Sequence, residues 1–592
     1  MAIIKLSGFQ GENRALHPML LPETVGVEST NQKPGRGDLR PWKAPLDVAT
    51  LPVGRRTIHR MGRDAPSDAT YWLSWTSDVH VVVAPNATDT AERTYFSGGS
   101  AFAPKWTNTA FGLAGLPNSV VSKELGLPAP SSACTVTATP IAPVGAGSFV
   151  AGTTYVIVSV GTTPTDFTLI GSTTNNIGTS FTATGVGAGT GTARVKGESE
   201  TRFYTYTYVN NLGEESAPAN PSAALTCLTN DVITISGLAA TPSGAYDWSL
   251  KRIYRTQSGS SGADFFFVKE IASTQTSTTD YSTYLGEVLP TTTWLPPPTD
   301  LNWLTGLWNG MMAGISGRSI RFCEAYTFYA WPIAYEILPS NAQPVALATF
   351  GQNLVMLTNG NPSIITGGTP DAMDETPIEF YQACIAPLSA VGVGHGVVWA
   401  SPDGLAYIGQ GGPRMLTEGI MTRDDWQAIS PSSIIGCFYE RRYIGFYKIG
   451  SNYKAFMFDF QSPNGMCFMD FGCDALYLDD MQDVLFVLNG TKVQKWDAGA
   501  AKTVTFKSKV FRMPKPMPAF SCAEVIATTY PVTFKLYVDG NTTAKHIQTV
   551  ASSTPFRLPS GYLGDTFQIE LSTTGAIQGC RMAHSMAELS QV

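Results

Sequence analysis

Six histidines, nine cysteines and 46 carboxylates are the groups in this chain able to do acid–base, nucleophilic or metal chemistry. The histidines, His17, His59, His80, His395, His546 and His584, lie in separate segments, and none has a neighbour at metal-ligand spacing. They read as structural histidines. No CxxC pair occurs, and Cys467 and Cys473, with no histidine nearby, do not spell a zinc site. Cys134, Cys227, Cys323, Cys384, Cys437, Cys467, Cys473, Cys522 and Cys580, odd in number and dispersed, read as buried reduced thiols of a protein made in a cytoplasm. Carboxylates cluster at Asp371, Asp374 and Glu375, at Asp424 and Asp425, and at Asp479, Asp480 and Asp483. Glycan cleavage needs only two carboxylates ~5 to 10 Å apart. These clusters sit in turn-like contexts, however, where aspartate commonly bonds backbone amides.

No GxxxxGK[ST], HExxH or GxSxG pattern is present, and Gly409-Gln410-Gly411-Gly412 lacks the lysine of a phosphate loop. No cofactor is expected. Trp72, Trp75, Trp303, Trp308, Trp331, Trp399 and Trp426 suit either a sugar platform or the cores of sheets, the second being the commoner use of large rings at β positions. The Asn86-Ala87-Thr88 sequon carries no weight in a chain whose amino terminus lacks a secretory pattern. No run of 18 apolar residues suggests a membrane-spanning helix.

Charge is sparse and uneven. Only 14% of the 592 residues are charged, against roughly 25% in an average globular protein, and the net charge is −7. Residues 1–63 carry ten Lys or Arg and five Asp or Glu, leaving 29 basic against 41 acidic residues in the rest. Arg55, Arg56, Arg60 and Arg63 concentrate this basic character, as a solvated face with intrachain pairs or as a docking surface for an acidic partner.

The elements that must position these groups are strands. Gly 57, Pro 39, Tyr 23, Phe 29 and Trp 12 describe short strands joined by many turns. Between residues 300 and 500 the pattern repeats: apolar runs flank glycine turns at Gly317, Gly360, Gly404, Gly450 and Gly490, which are 43, 44, 46 and 40 residues apart. Asn359-Gly360, Asp403-Gly404 and Asn489-Gly490 are strong hairpin signals because a type I′ turn needs positive φ. That period is the spacing of four-stranded propeller blades. Asn464-Gly465 adds a hairpin inside the fourth unit, and residues 70–99 supply a sixth blade upstream, so that strands from both ends of the chain close the ring.

The expected fold is therefore mainly β: an interrupted β-propeller of about six blades, inserted β-sandwich modules and a C-terminal β-sandwich. The expected boundaries are 1–63, an N-terminal basic docking segment; 64–130, the first propeller part; 131–198, an inserted Gly/Thr-rich β module whose residues 131–193 hold a single charge, Asp166; 199–295, a second module; 296–502, the main propeller part; and 503–592, the sandwich. The second module, through TRFYTYTYVNNLGEES and KRIYRT, resembles a fibronectin type III domain.

Taken in order, RTIHRMGRDAPSDATYWLSW at 56–75, the interrupted propeller, KVQKWDAG at 492–499 and the SKVFRMPKP, RLPSG and MAELS segments of the terminal unit resemble the tail nozzle, or tail tubular protein B, family of short-tailed bacteriophages. The resemblance implies a non-enzymatic virion protein of the phage tail, synthesised in the host cytoplasm. It implies a ring of six copies that contacts tail adaptor or connector proteins and tail fibres, meets the host surface, and passes double-stranded DNA through its lumen without binding it specifically. No catalytic or metal-binding residue comes with it. Two other readings remain open from the residues themselves: a tail-associated glycan hydrolase using paired carboxylates, and a carbohydrate-binding propeller lectin.

Overall fold

The structure is a computed structural model describing residues 3–62, 65–85, 90–257, 264–340 and 342–590, with the side chains of 514–517 left aside. Arg63 and Asn86 lie outside the described residues. The chain divides into two compact units: residues 1–122, 298–326 and 334–592 form the first, and residues 123–297 with 327–333 the second.

The first unit is built on a β-propeller. Each of the five glycine turns falls at the same place, between the second and third strands of a sheet. Gly317 joins Met312–Ser316 to Ser319–Phe322, Gly360 joins Asn353–Thr358 to Ser363–Thr366, and Gly404 joins Gly396–Ala400 to Leu405–Gly409. Gly450 and Gly490 do the same for Arg442–Ile449 with Asn452–Asp459 and for Val484–Asn489 with Lys492–Lys495. The period read from the sequence is thus the repeat of one hairpin in successive blades.

Apolar clusters lie between neighbouring sheets, as a radial arrangement requires. In the strand Gly396–Ala400, Val397 and Trp399 point to the preceding sheet, and Val398 and Ala400 to the following one. Alternation persists, but both faces are buried, which is why the strand reads as a continuous apolar run. In the next sheet Tyr443, Phe456 and Phe458 face backward, while Ile444, Ala455 and Met457 face forward onto Leu485, Val487 and Trp496. The innermost strands come very close together. A Cβ on Gly392 would lie 2.4 Å from the Thr349 carbonyl oxygen, and one on Gly436 2.8 Å from that of Ser389, so glycine is required at both.

The upstream strands correct the blade expected at 70–99. Among the described residues Trp72–Trp75 pairs only with Thr57–Arg60 in a two-stranded sheet, whereas His80–Val83, Thr94–Ser97 and Lys105–Thr107 belong to a separate one. The two are tied by the Thr57 hydroxyl, which donates to Ser77 O (2.9 Å) and accepts from Val79 N (3.0 Å), and by the Trp75 and Phe96 rings, 5.1 Å apart. Among the described residues seven sheets surround the axis, because residues 70–99 divide between two of them.

The boundary expected at residue 63 is not a structural one. Leu46–Thr50 supplies the outermost strand of the last blade by pairing with Lys492–Lys495, closing the ring with a strand from near the amino terminus. Ile4–Leu6 pairs with Ile577–Ala583 in the C-terminal sandwich. Between them Glu28–Thr30 lies parallel to Met466–Met469 of the sixth sheet and antiparallel to Val504–Lys507, so propeller and sandwich share one ten-stranded sheet. The basic segment is a strap woven through both.

At its centre sits Glu12, 2% exposed, whose backbone exchanges hydrogen bonds with Met466. Its carboxylate accepts from Ser29 N (2.5 Å) and Arg14 Nε (2.6 Å). Burial nevertheless outweighs Arg14 and raises its pKa to about 7. The sandwich itself packs Ile4, Phe506, Val525, Phe534, Ile569 and Met582 in one core.

The second unit revises the module order. Thr135–Thr139 pairs with Val232–Ser236, which pairs with Thr278–Asp280; facing this sheet is another made of Tyr204–Asn210, Trp248–Thr256 and Phe265–Ala272. The sandwich therefore begins before the Gly/Thr-rich segment, and the small sheet at 144–195, with its own core of Phe149, Tyr155, Phe167 and Phe181, is an insertion within it. Among the described residues, no helix is long and apolar enough to cross a membrane.

Candidate functional site

The innermost strands of the seven sheets surround an axis with a cavity at each end. At their amino-terminal ends a cavity of about 860 Å³ is lined by Arg55, Arg56, Asp78, His80, Asn302 and Trp303, among others. At their carboxy-terminal ends one of about 710 Å³ is lined by His59, Arg60, Glu92, Tyr477, Asp479 and Asp480, among others. Since Thr57–Arg60, His80–Val83, Asn302–Gly306 and Ala475–Asp479 each have their first residues, or those just before them, at the first mouth and late residues at the second, the inner strands run in one direction around the axis.

The arginines singled out in the sequence part company here. Arg60 is 5% exposed; its guanidinium donates to Ser67 O (2.7 Å) and lies 3.5 Å from both Asp68 and Asp479. It is a buried internal cation at the carboxy mouth, not a surface docking group. Arg56 is exposed and forks onto Asp78, with Nε and Nη2 donating at 3.0 and 3.2 Å. Arg55 donates to Asn118 O (2.7 Å). Both stand at the amino mouth.

Two histidines reach the axis. His80 stacks on Trp303, centroids 4.0 Å apart at 30°, and His59 meets Tyr477 edge-on at 4.9 Å. Burial lowers both imidazoles to about 4, with Asp78 opposing the shift at His80, so both are neutral at physiological pH. Among the described residues no group of three His, Cys, Asp or Glu is placed to hold a metal ion. All nine cysteines are buried and unbonded, and burial raises the thiols of Cys323, Cys384 and Cys467 to about 12.

The carboxylate clusters are each engaged by the fold. Asp424 and Asp425 occupy the first turn of the helix Arg423–Ala428, where the Thr422 hydroxyl caps the helix by accepting from Asp425 N (3.1 Å) and donates to the Asp425 carboxylate (2.5 Å). Glu375, on an outer strand, accepts from Ser363 Oγ (2.7 Å) and Ser340 N (3.2 Å). Asp479 accepts from Met481 N and Gln482 N, both at 3.1 Å. Asp480 is held above the usual carboxylate range, by burial first and by Asp479 and Asp483 after it. Of the tryptophans, Trp399 and Trp426 are fully buried in blade cores, whereas Trp303 opens onto the amino mouth.

Spacing in the sequence could not assemble this site. His80 and Trp303 come from adjacent sheets separated in the chain by the whole inserted unit, and only the ring brings them into contact.

No protein-family model matches the chain, and no curated protein matches it either. Among solved structures it is similar to BBS1N in its complex with ARL6DN, at 8% identity over 46% of this chain and 86% of that one, TM-score 0.24. It is similar to AztD of Citrobacter koseri at 10% identity over 64% and 99%, TM-score 0.23. It is also similar to PorZ, a surface component of the type-IX secretion system of Porphyromonas gingivalis, at 10% identity over 87% and 77%, TM-score 0.23.

Proposed function

We propose that this chain is a structural subunit of a short phage tail, one of about six copies forming the nozzle ring at its distal end. The observation that carries the reading is the strap: strands from the first 50 residues close the last blade and merge the propeller with the C-terminal sandwich in one sheet. Such a cross-braced body suits a conduit wall, and the order of its parts is what gives the sequence its resemblance to the nozzle family. A cyclic ring needs two different, mutually complementary sides on every copy. The DNA path in this reading is the axis of the assembled ring. It is not the propeller's own channel, around which the inner strands of adjacent sheets pack closely at Gly392 and Gly436.

The acidic balance outside residues 1–63 favours passage of DNA over its retention, because tight binding needs many Lys or Arg contacts to phosphate. In the assembled tail Arg55 and Arg56 serve the adaptor side, and residues 123–297 serve fibres or the host surface. Electron microscopy of the purified chain and of phage particles tests the proposal. A ring with countable subunits at the tail tip is the expected result. A chain that stays monomeric, with particles lacking the ring, overturns it. Reversing Arg55 and Arg56 to Glu is expected to block tail joining while leaving the ring intact.

A further inference from the structure

The two mouths of the propeller channel differ in charge. Among the described residues, three cations, Arg55, Arg56 and Lys448, line the amino mouth against two carboxylates, Asp78 and Asp474. The carboxy mouth reverses the balance, with Arg60 against Glu92, Asp479 and Asp480. Pairing inside the amino mouth shows which of its charges are spare. Arg56 and Asp78 fork onto each other and cancel. Asp474 accepts from Tyr453 OH and, at 2.9 Å, from Gly490 N. The exposed Lys448 ammonium donates to the same Tyr453 hydroxyl (3.1 Å), so a phenol stands between lysine and aspartate. Arg55 donates to Asn118 O (2.7 Å), and its Nε meets no acceptor. Among the described residues, neither Arg55 nor Lys448 has a carboxylate in ion-pair contact.

Aliphatic side chains share this mouth with the two spare cations. Val53, 82% exposed, stands on the turn before Arg55, where Gly54 takes φ +80°, and the half-buried Pro387, Leu388 and Ile435 line the same cavity. The combination narrows the ligand. An inorganic anion needs donors alone and gains nothing from aliphatic surface. Tight binding of DNA needs many Lys or Arg contacts to phosphate, and Asp78 and Asp474 repel it here. A polypeptide segment with carboxylates set among aliphatic residues uses both features. Its carboxylates accept charge-assisted hydrogen bonds from Arg55 and Lys448, and its aliphatic side chains leave water against Val53, Leu388 and Ile435. The cavity, about 860 Å³, is of the size that encloses several side chains.

We infer that the amino mouth is a docking cleft for an acidic, aliphatic-rich polypeptide segment of a partner protein, with Arg55 and Lys448 as its anchors and the Arg56–Asp78 pair as a neutral rim. The inference rests on the adaptor-side reading of this mouth and sharpens it, because it adds Lys448 and takes Arg56 out of recognition.

Full-length protein is titrated, by fluorescence anisotropy, with a fluorescein-labelled peptide of repeated Glu-Glu-Leu; polyglutamate, duplex DNA and inorganic phosphate serve as competitors. The peptide is expected to bind saturably, to resist all three competitors, and to dissociate as salt rises from about 50 to about 300 mM. Arg55→Ala and Lys448→Ala are each expected to weaken binding at least about fivefold, whereas Arg56→Ala combined with Asp78→Ala, which removes a neutral pair, changes it less than about twofold. The cleft is overturned if the peptide does not bind, if DNA or phosphate displaces it at equal concentration, or if Lys448→Ala binds undiminished. Lys448 is exposed, so its variant decides the matter even where Arg55→Ala fails to fold. Ring formation is scored separately by electron microscopy. A ring-forming chain that ignores the peptide overturns the cleft alone, and peptide binding by a chain that forms no ring overturns the nozzle reading alone.

Discussion

The propeller and the sandwich of the second unit are both β structures, yet they are held together by different interactions. Propeller cores are apolar and lie on both faces of each sheet, as with Val397 and Trp399 on one side and Val398 and Ala400 on the other. The sandwich core is lined by three fully buried tyrosines on one strand, Tyr204, Tyr206 and Tyr208, each with its hydroxyl hydrogen-bonded. Tyr204 donates to Asp280 (2.7 Å), itself completely buried, with Arg255 Nε 3.6 Å and Arg202 Nη1 3.9 Å away. Glu215, from the GEES motif, accepts from Thr207 (2.6 Å), Tyr254 (2.7 Å) and Arg252 (2.7 Å). A blade has neighbours on both sides to bury apolar surface against. The inserted sandwich builds its core between its own two sheets, with buried polar pairs beside it.

This contrast gives an order of expected effects. Trp399→Ala empties a fully buried site in a blade core and is expected to destabilise the propeller by about 3–5 kcal/mol, read as a fall in the denaturation midpoint. Asp280→Asn leaves Arg202 and Arg255 beside an uncharged amide. It is expected to cost the second unit about 3–5 kcal/mol, seen by hydrogen exchange in residues 204–280. A cost near zero would show that the polar cluster specifies register without stabilising the sandwich. Tyr206→Phe deletes one hydroxyl that donates to Ser132 O and accepts from Ala239 N, and about 1–2 kcal/mol is expected by chemical denaturation.

The contrast extends to pH dependence, where the propeller unit has groups whose pKa values are shifted in opposite senses. Glu12 has its folded pKa raised to about 7, so the stability it contributes is complete below about 4.5 and is lost as pH rises through 7. His59 and His80 have theirs lowered to about 4, so their contribution is present above 6.5 and is lost as pH falls toward 4. The stability deficit of Glu12→Gln is therefore expected to shrink from pH 5 to pH 8. His59→Gln is expected to flatten the acid limb of the melting curve between pH 6.5 and 4.

The repeat was legible because five successive blades use the same hairpin. Gly317, Gly450 and Gly490 have φ between 56° and 61°, a conformation that L side chains rarely adopt, so the fold leaves a periodic mark on the sequence. The C-terminal sandwich and the KRIYRT strand were legible through alternation. The strap was not: Ile4–Leu6 and Glu28–Thr30 are three residues each, too short to show a period, and their partners lie hundreds of positions away. The first sandwich strand, Thr135–Thr139, was hidden for a similar reason, since the small module at 144–195 separates it from its partner Val232–Ser236.

By itself, then, the sequence determined the local choices: strands, hairpin turns, buried thiols and the blade period, each set by side-chain shape, hydropathy and backbone freedom within a few residues. Only the tertiary structure decided which distant strands pair, that Arg60 is buried while Arg56 is exposed, and that Trp303 leans on His80. Those outcomes depend on contacts between segments far apart in the chain, and the energy that selects them appears only once the ring has closed.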